Sequence, residues 1–226
     1  IPDWVCCGST PAHSSSGSLA VALPVLRSVV FLKRNGDKLE GQFISPVDFT
    51  PGRMAFSPNG RELVVAGAFG GELAVLGADD GALKTRLTLP EHNLSGLVFS
   101  PDGQRLLLSR QHLSQLARTS FDDLHWGSLM RNEIATIDLG DPFGATGKAP
   151  PRFQRLAVGD VDAGAGDPAA IAVDGEFRIF VALAGVNEIA VLDPAAASER
   201  ERRIAVGHRP RELLLDEARH RLFVAN

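Results

Sequence analysis

Tyrosine is absent from this chain of 226 residues, and only two cysteines, two methionines and two tryptophans occur. The cysteines, Cys6 and Cys7, are adjacent in a polar N-terminal stretch. They form neither a CxxC nor a CxxCH pattern, so neither a zinc ribbon nor covalent haem attachment is encoded. No basic block occurs: 23 Lys and Arg stand against 27 Asp and Glu, for a net charge of -4. Nucleic acid is therefore not an expected partner. The longest apolar stretch, 19–32, is broken by Pro24 and Arg27 and is too short to span a bilayer, so no transmembrane segment is expected. No serine has a nucleophile-elbow context, and no glycine-rich phosphate loop follows a strand and opens a helix. Two large classes of enzyme lose their sequence signal on that ground.

What the chain does contain is one phrase written repeatedly. Residues 97–109 read LVFSPDGQRLLLS, residues 54–66 read MAFSPNGRELVVA, and worn forms lie at 171–182 and 213–225. Each is an apolar run, a tight turn and a second apolar run, which is an antiparallel pair of strands. The residues that close each first run are Phe56, Phe99, Val173 and Leu215, spaced 43, 74 and 42 apart. The long middle gap has two homes for its surplus, the polar or Gly/Pro-rich stretches 110–132 and 141–152. Third strands match in turn: ELAVL from Glu72, EIATI from Glu133 and EIAVL from Glu188. A repeat of about forty residues holding four short strands is the mark of a β-propeller blade.

The expected fold is thus all-β, a propeller of four-stranded antiparallel blades with about four blades' worth present. Residues 1–27, with a serine-rich run at 14–18, read as a tail or linker, and 28–226 as a partial propeller within a larger one. The chain is expected to open on the last two strands of one blade, 28–44, and to close on the first two of another.

Residues 202–226, RRIAVGHRPRELLLDEARHRLFVAN, resemble the repeat of YVTN-type propellers, with Val206-Gly207, then Pro210, and a strand ending in Val224, Ala225 and Asn226. The segment 167–193, with VALAGVNEIAVLD, is similar to it as well. The resemblance covers roughly 28–226 and departs from the pattern at the insert near His125 and Trp126 and in the missing tyrosines. It implies a seven-bladed propeller outside the cytoplasm, in the periplasm or at the cell surface. Relatives of this type include surface-layer proteins, lactonase-like proteins, dehydrogenase heavy chains and propellers fused to c-type cytochrome domains.

In such a fold the loops joining strand four to the next strand one, and strand two to strand three, emerge on one face. That face is expected to carry Glu91, His92, Asn93, the joint 67–71, the insert with Arg110, His112, His125 and Trp126, the loop 159–167, and His208, Arg209 and Arg211. His220 falls on the opposite face. Four histidines on one face, His92, His112, His125 and His208, are the candidates for a metal site. Without HxH or HxxxH spacing no ligand pair is fixed, and polar loops collect histidines without binding metal, so no metal and no cofactor is expected. Asp160, Asp162 and Asp167 lack a glutamate at the twelfth position of a calcium loop and read as a solvated turn. The glutamates that begin third strands recur, which suits a structural task at the blade edge.

The functional expectation is a non-catalytic scaffold that presents this face to a protein partner or adjacent domain. Arg110, His112, His125, Trp126, His208 and Arg209 are its contact residues, with Trp126 as the amphipathic anchor. The alternative is a redox-associated or lactonase-like propeller subunit, with a transition metal or haem in a neighbouring domain.

Overall fold

The computed structural model describes residues 11–13, 17–89, 92–114, 116–118, 120–125, 129–139, 153–159, 163–195 and 201–226. They form four four-stranded antiparallel sheets and one two-stranded sheet. Blade 1 holds β1 (Pro11–His13), β2 (Ser18–Leu23), β3 (Ser28–Asn35) and β4 (Lys38–Pro46). Blade 2 holds β5 (Pro51–Phe56), β6 (Glu62–Gly67), β7 (Glu72–Gly77) and β8 (Leu83–Thr88). Blade 3 holds β9 (His92–Phe99), β10 (Arg105–Leu113), β11 (Met130–Asp138) and β12 (Phe153–Ala157), with a short helix α1 (Phe121–His125) between β10 and β11. Blade 4 holds β13 (Pro168–Val173), β14 (Ile179–Leu183), β15 (Glu188–Leu192) and β16 (Arg202–Ala205), and the fifth sheet holds β17 (Glu212–Asp216) and β18 (Arg221–Ala225).

Strands follow one another in sequence order within every sheet. The first strands β1, β5, β9, β13 and β17 touch one another in that order, and Arg53 of β5 reaches Glu212 of β17. Strands from blades so far apart in the chain can meet only if the first strands curve around a common axis. The architecture is a β-propeller arc, as the repeat implies.

Apolar runs such as ELVVAG and ELAVLG have no polar alternation because each blade is covered on both flanks. Leu63, Val65, Ala74 and Leu76 pack toward blade 1 with Ala20, Val29 and Phe31. Val64 and Val75, one residue out of phase, pack toward blade 3 with Leu94, Leu106 and Leu108. The same division continues between blades 3 and 4, and between blade 4 and the fifth sheet. Each buried Leu, Ile or Val contributes roughly 1.5–3 kcal/mol on transfer from water. Two buried serines also tie neighbouring blades, Ser45 Oγ donating to the Gly81 carbonyl at 2.8 Å and Ser109 Oγ to the Ala169 carbonyl at 2.6 Å. At that second joint the backbones come so close that a Cβ on Gly96 would lie 2.3 Å from the Ala169 oxygen.

Two expectations change. Residues 18–23, read as tail, form β2, whose Ala20 and Ala22 are fully buried. Blade 1 therefore has four strands where half a blade was expected. The physical reason is that β2 is apolar on both flanks and follows a serine run, so it shows no period-two signal. Its Ser14–Ser16 neighbours, Cys6 and Cys7 lie outside the described residues, as does 141–152. The second change concerns 110–132: β10 runs on to Leu113 and β11 starts at Met130, so most of its two ends is a paired ribbon.

Candidate interaction face

The antiparallel order sends the connections from strand one to two and from three to four to one face, here the turn face. The remaining connections make the loop face. On the turn face of blades 2 to 4 the side chain that follows the first strand is bonded into its own turn. Ser57 Oγ accepts the Glu62 N–H at 3.0 Å and Ser100 Oγ accepts the Arg105 N–H at 2.9 Å. In blade 4 Asp174 replaces serine: its Oδ1 accepts the Glu176 and Arg178 N–H groups at 3.1 and 2.8 Å, and its Oδ2 takes the Arg178 Nε at 2.6 Å. Those bonds hold the Arg178 guanidinium above its ordinary range, and the Ser100 hydroxyl, with the Gln104 N–H, holds the Asp102 carboxyl below its own. The third residue after the buried side chain takes a positive φ, at Gly60 and Gly103 and, in blade 4, at Phe177. Phe177 accepts this strained conformation while the Arg105 guanidinium sits 4.8 Å above its ring.

The loop face is organised by the inner strands. The pairing of β5 with β6 and of β13 with β14 each contains a bulge just past Pro51 and Pro168, and β9 is bulged between His92 and Gly96. Bulges at a sheet rim re-aim side chains. Counted back from Ser57, Ser100, Asp174 and Asp216, the equivalent rim positions are Arg53, Gly96, Ala170 and Glu212. Arg53 pairs with Glu212, and Arg211 Nη2 lies 3.2 Å from Asp167 Oδ2. The charges at the channel mouth thus neutralise one another in two pairs. Beside it, Arg203 pairs with Glu188 at 2.9 Å and with Glu201, and donates to the Ala163 carbonyl at 3.0 Å, clamping the blade 3 to blade 4 connection.

The ribbon of β10 and β11 rises from this face as an arm. At its root Arg110 and Glu133 stand directly opposite in the ladder, with Nη2 2.9 Å from Oε2. Arg110 is only 1% exposed. Asn93 Nδ2 donates to Gln111 Oε1, and Asn132 Nδ2 donates to the Ala165 carbonyl, fastening the root to two neighbouring loops. Toward the tip the ladder ends on the pair Leu113 and Met130, and both are exposed. Leu116 is 93% exposed and Phe121 79%. Phe69, in the joint between β6 and β7, is 74% exposed, and Val25, between β2 and β3, is 96% exposed. Every strand-two to strand-three connection of blades 1 to 4 therefore offers a large apolar side chain to solvent, Val186 completing the set in blade 4.

The sequence-derived contact residues divide accordingly. Arg110 is not a surface residue: burial opposite Glu133 withdraws it, a correction that follows from the continuation of β10. His112 is half-buried on the arm, and His208 and Arg209 are exposed on the connection to β17, where the Arg209 N–H donates to Asn187 Oδ1 at 2.8 Å. His125 ends α1 with its side chain outside the described residues, and Trp126, Glu91, Asp160 and Asp162 also lie outside them. His92 opens β9 and is exposed. Among the described residues no three His, Cys, Asp or Glu side chains gather as a metal-ligand set, and no helix is long and apolar enough to cross a membrane. For Leu113, Leu116, Phe121 and Met130 the available sequence signal is a large apolar residue inside a polar insert; Phe69 and Val25, in a glycine-rich joint and an apolar run, carry none. A cleft of about 330 Å³ is lined by Pro46, Val47, Asp48, Ala74, Leu83 and Arg86, with Asp48 and Arg86 ion-paired.

The fold and its face define a β-propeller with one self-bonded side and one loop-bearing side. No family model matches the chain, and no curated protein matches it. Among solved structures, hydrazine synthase of Kuenenia stuttgartiensis is 14% identical over 95% of this chain and 82% of that one, with a TM-score of 0.61. A streptogramin B lyase is 13% identical over 99% of this chain and 63% of its own, at a TM-score of 0.64. The dihydro-heme d1 dehydrogenase NirN is 18% identical over 94% of this chain and 40% of its own, at 0.60. The chain spans less than two thirds of the last two. At such identities the likeness is one of fold, and one fold carries several chemistries.

Proposed function

We propose that this chain is a non-catalytic propeller module whose loop face docks a protein partner or adjacent domain, with the β10–β11 arm as the principal contact. The observation that carries this reading is the sorting of exposed apolar side chains. Among the described residues, all those in connections between strands lie on the loop face, and the arm holds Leu113, Leu116, Phe121 and Met130. Exposed apolar groups gathered on one face are what association removes from water. The charges of the same face, closed into ion pairs at the channel mouth, supply orientation more than affinity.

The test is a double substitution, Leu116→Ser with Phe121→Ser. Both side chains are exposed, so the thermal midpoint is expected to stay unchanged while capture of partners in a cross-linking pull-down falls by about tenfold or more. Retention of every captured partner by the variant would remove the arm from the interface.

A further inference from the structure

We infer that the free edge of β18 is a docking site for an extended segment of a partner protein, added antiparallel as a third strand with an acidic residue at its C-terminal end. The site is separate from the arm and does not rest on it. Each second strand of blades 1 to 4, β2, β6, β10 and β14, lies between two neighbours in its sheet. Among the described residues β18 is paired only with β17, so its other edge presents unanswered N–H and C=O groups. The flanks of β18 are also those of an interior strand. Leu222 and Val224 pack toward blade 4, while Phe223, 50% exposed, and its cross-strand neighbour Leu214, 67% exposed, stand on the open side. The outer strands that end the sheets of blades 1 to 4 carry charges along their length: Glu40 in β4, Lys84 and Arg86 in β8, Arg155 in β12 and Arg203 in β16. In β18 the only charge is on its first residue, Arg221, so residues 222–225 lack the device that keeps a sheet edge from pairing.

Blade 4 shows what fits this edge. Val173 pairs with Ile179 and Leu215 with Leu222, so IFVAL of β14 and LFVAN of residues 222–226 stand in the same register. Against β14 lies EIAVL of β15, with Leu192 opposite Ile179, Val191 opposite Phe180 and Ala190 opposite Val181. One step beyond the last of these pairs, Arg178 comes opposite Asp193. In blade 3 the corresponding Arg105 stands opposite Asp138. Arg221 holds that position in the fifth sheet, where it is exposed and, among the described residues, has no ion-pair partner. This open charge selects the occupant. An incoming strand that ends in a carboxylate answers Arg221, whereas a second copy of β18 laid antiparallel brings no carboxylate to either end. None of the chain's own third strands can serve, because β3, β7, β11 and β15 are each held between two neighbours. Main-chain bonds to the edge supply affinity, and the acid at the far end fixes direction and register.

A synthetic peptide of residues 186–195, VNEIAVLDPA, is the probe. Labelled and titrated with the 226-residue chain, it is expected to give a saturable rise in fluorescence anisotropy and to slow amide hydrogen exchange at 222–225. Proline in place of Ala190 in the peptide breaks the strand and is expected to abolish binding. Arg221→Glu is expected to weaken binding about fivefold, and a peptide carrying Asp193→Lys to regain that loss. Leu116→Ser with Phe121→Ser is expected to leave peptide binding unchanged, so failure of the arm and failure of this edge are read separately. Loss of binding in that variant would move the peptide to the arm and overturn the proposal. Absence of saturable binding up to about millimolar peptide overturns it, as does binding indifferent to the proline or to Arg221→Glu. Exchange at 222–225 that is already slow without peptide would show the edge to be covered, with the same consequence. A dimer that the peptide disperses would assign the edge to a second copy and overturn it too.

Discussion

The two faces of the propeller are built from the same strands and differ in where their polar groups are answered. On the turn face Ser57, Ser100 and Asp174 are buried and bonded within a few residues of themselves, and the turns they close carry no exposed large apolar side chain. On the loop face bonds run between distant segments, Arg53 to Glu212 and Asn132 to Ala165, and the apolar groups stand in solvent. A turn that satisfies itself can be copied from blade to blade. A loop that depends on its neighbours is free to vary in length, as the arm does, and such loops on a rigid scaffold are where binding is carried. Local bonding and exposed apolar side chains thereby stand at opposite ends of one sheet.

The arm root breaks this division, and it gives the largest expected effect. Arg110 and Glu133 belong to the loop face yet are buried like core, and removing one member of a buried pair strands the other charge. Arg110→Ala is expected to cost about 3–5 kcal/mol in denaturant unfolding, more than any turn-face change. Arg110→Met combined with Glu133→Leu is expected to recover at least part of that loss, since an apolar pair needs no compensating charge. A single substitution costing under about 1 kcal/mol would show the pair to be solvated and the division of the faces to be complete.

That pair also marks where the sequence became illegible. The turn sequences Ser-Pro-Asn-Gly and Ser-Pro-Asp-Gly announced themselves, because the turn's needs lie within six residues: a hydroxyl to accept, an Asn or Asp to bond forward, a glycine for positive φ. The recurrent glutamates of the third strands were legible as structural, but their partners were not. Glu188 is answered by Arg203 in its own blade's fourth strand and Glu133 by Arg110 in the second, and only the register of the sheet reveals either. Arg110 looked like loop because it is charged and precedes a polar insert; burial depends on a residue 23 positions away. The strand β2 hid for the opposite reason, being apolar on both flanks beside a run of serine.

Turn-face substitutions test the other half of the division at intermediate size. Asp174 is 3% exposed and accepts two backbone N–H groups as well as the Arg178 guanidinium. Asp174→Ala is expected to lower stability by about 2–3 kcal/mol, and Ser100→Ala, which leaves one N–H without its acceptor, by about 1–2 kcal/mol. Both are expected to leave partner capture at wild-type levels once the proteins are compared well below their melting points. Loss of capture by a folded Asp174→Ala protein would mean that the faces communicate through the blade.

The smallest effect expected is that of Asp102, which lies on the surface of the turn face. Its carboxyl is held below its ordinary range first by the Ser100 hydroxyl and then by the Gln104 N–H. A carboxyl with a lowered pKa in the folded state binds its proton more weakly there than when unfolded. Its contribution is therefore present above about pH 4 and is lost as pH falls through the folded value. Asp102→Asn removes this linkage while keeping a side-chain oxygen that can accept both bonds, as Asn59 does in blade 2. The two proteins should differ slightly in thermal midpoint at neutral pH and converge as the solution is acidified below the carboxylate range. A gap that persists unchanged in acid would place the stabilisation in shape rather than charge. The turn of blade 3 would then be held by neutral hydrogen bonds alone, in contrast with the Asp174–Arg178 ion pair of blade 4.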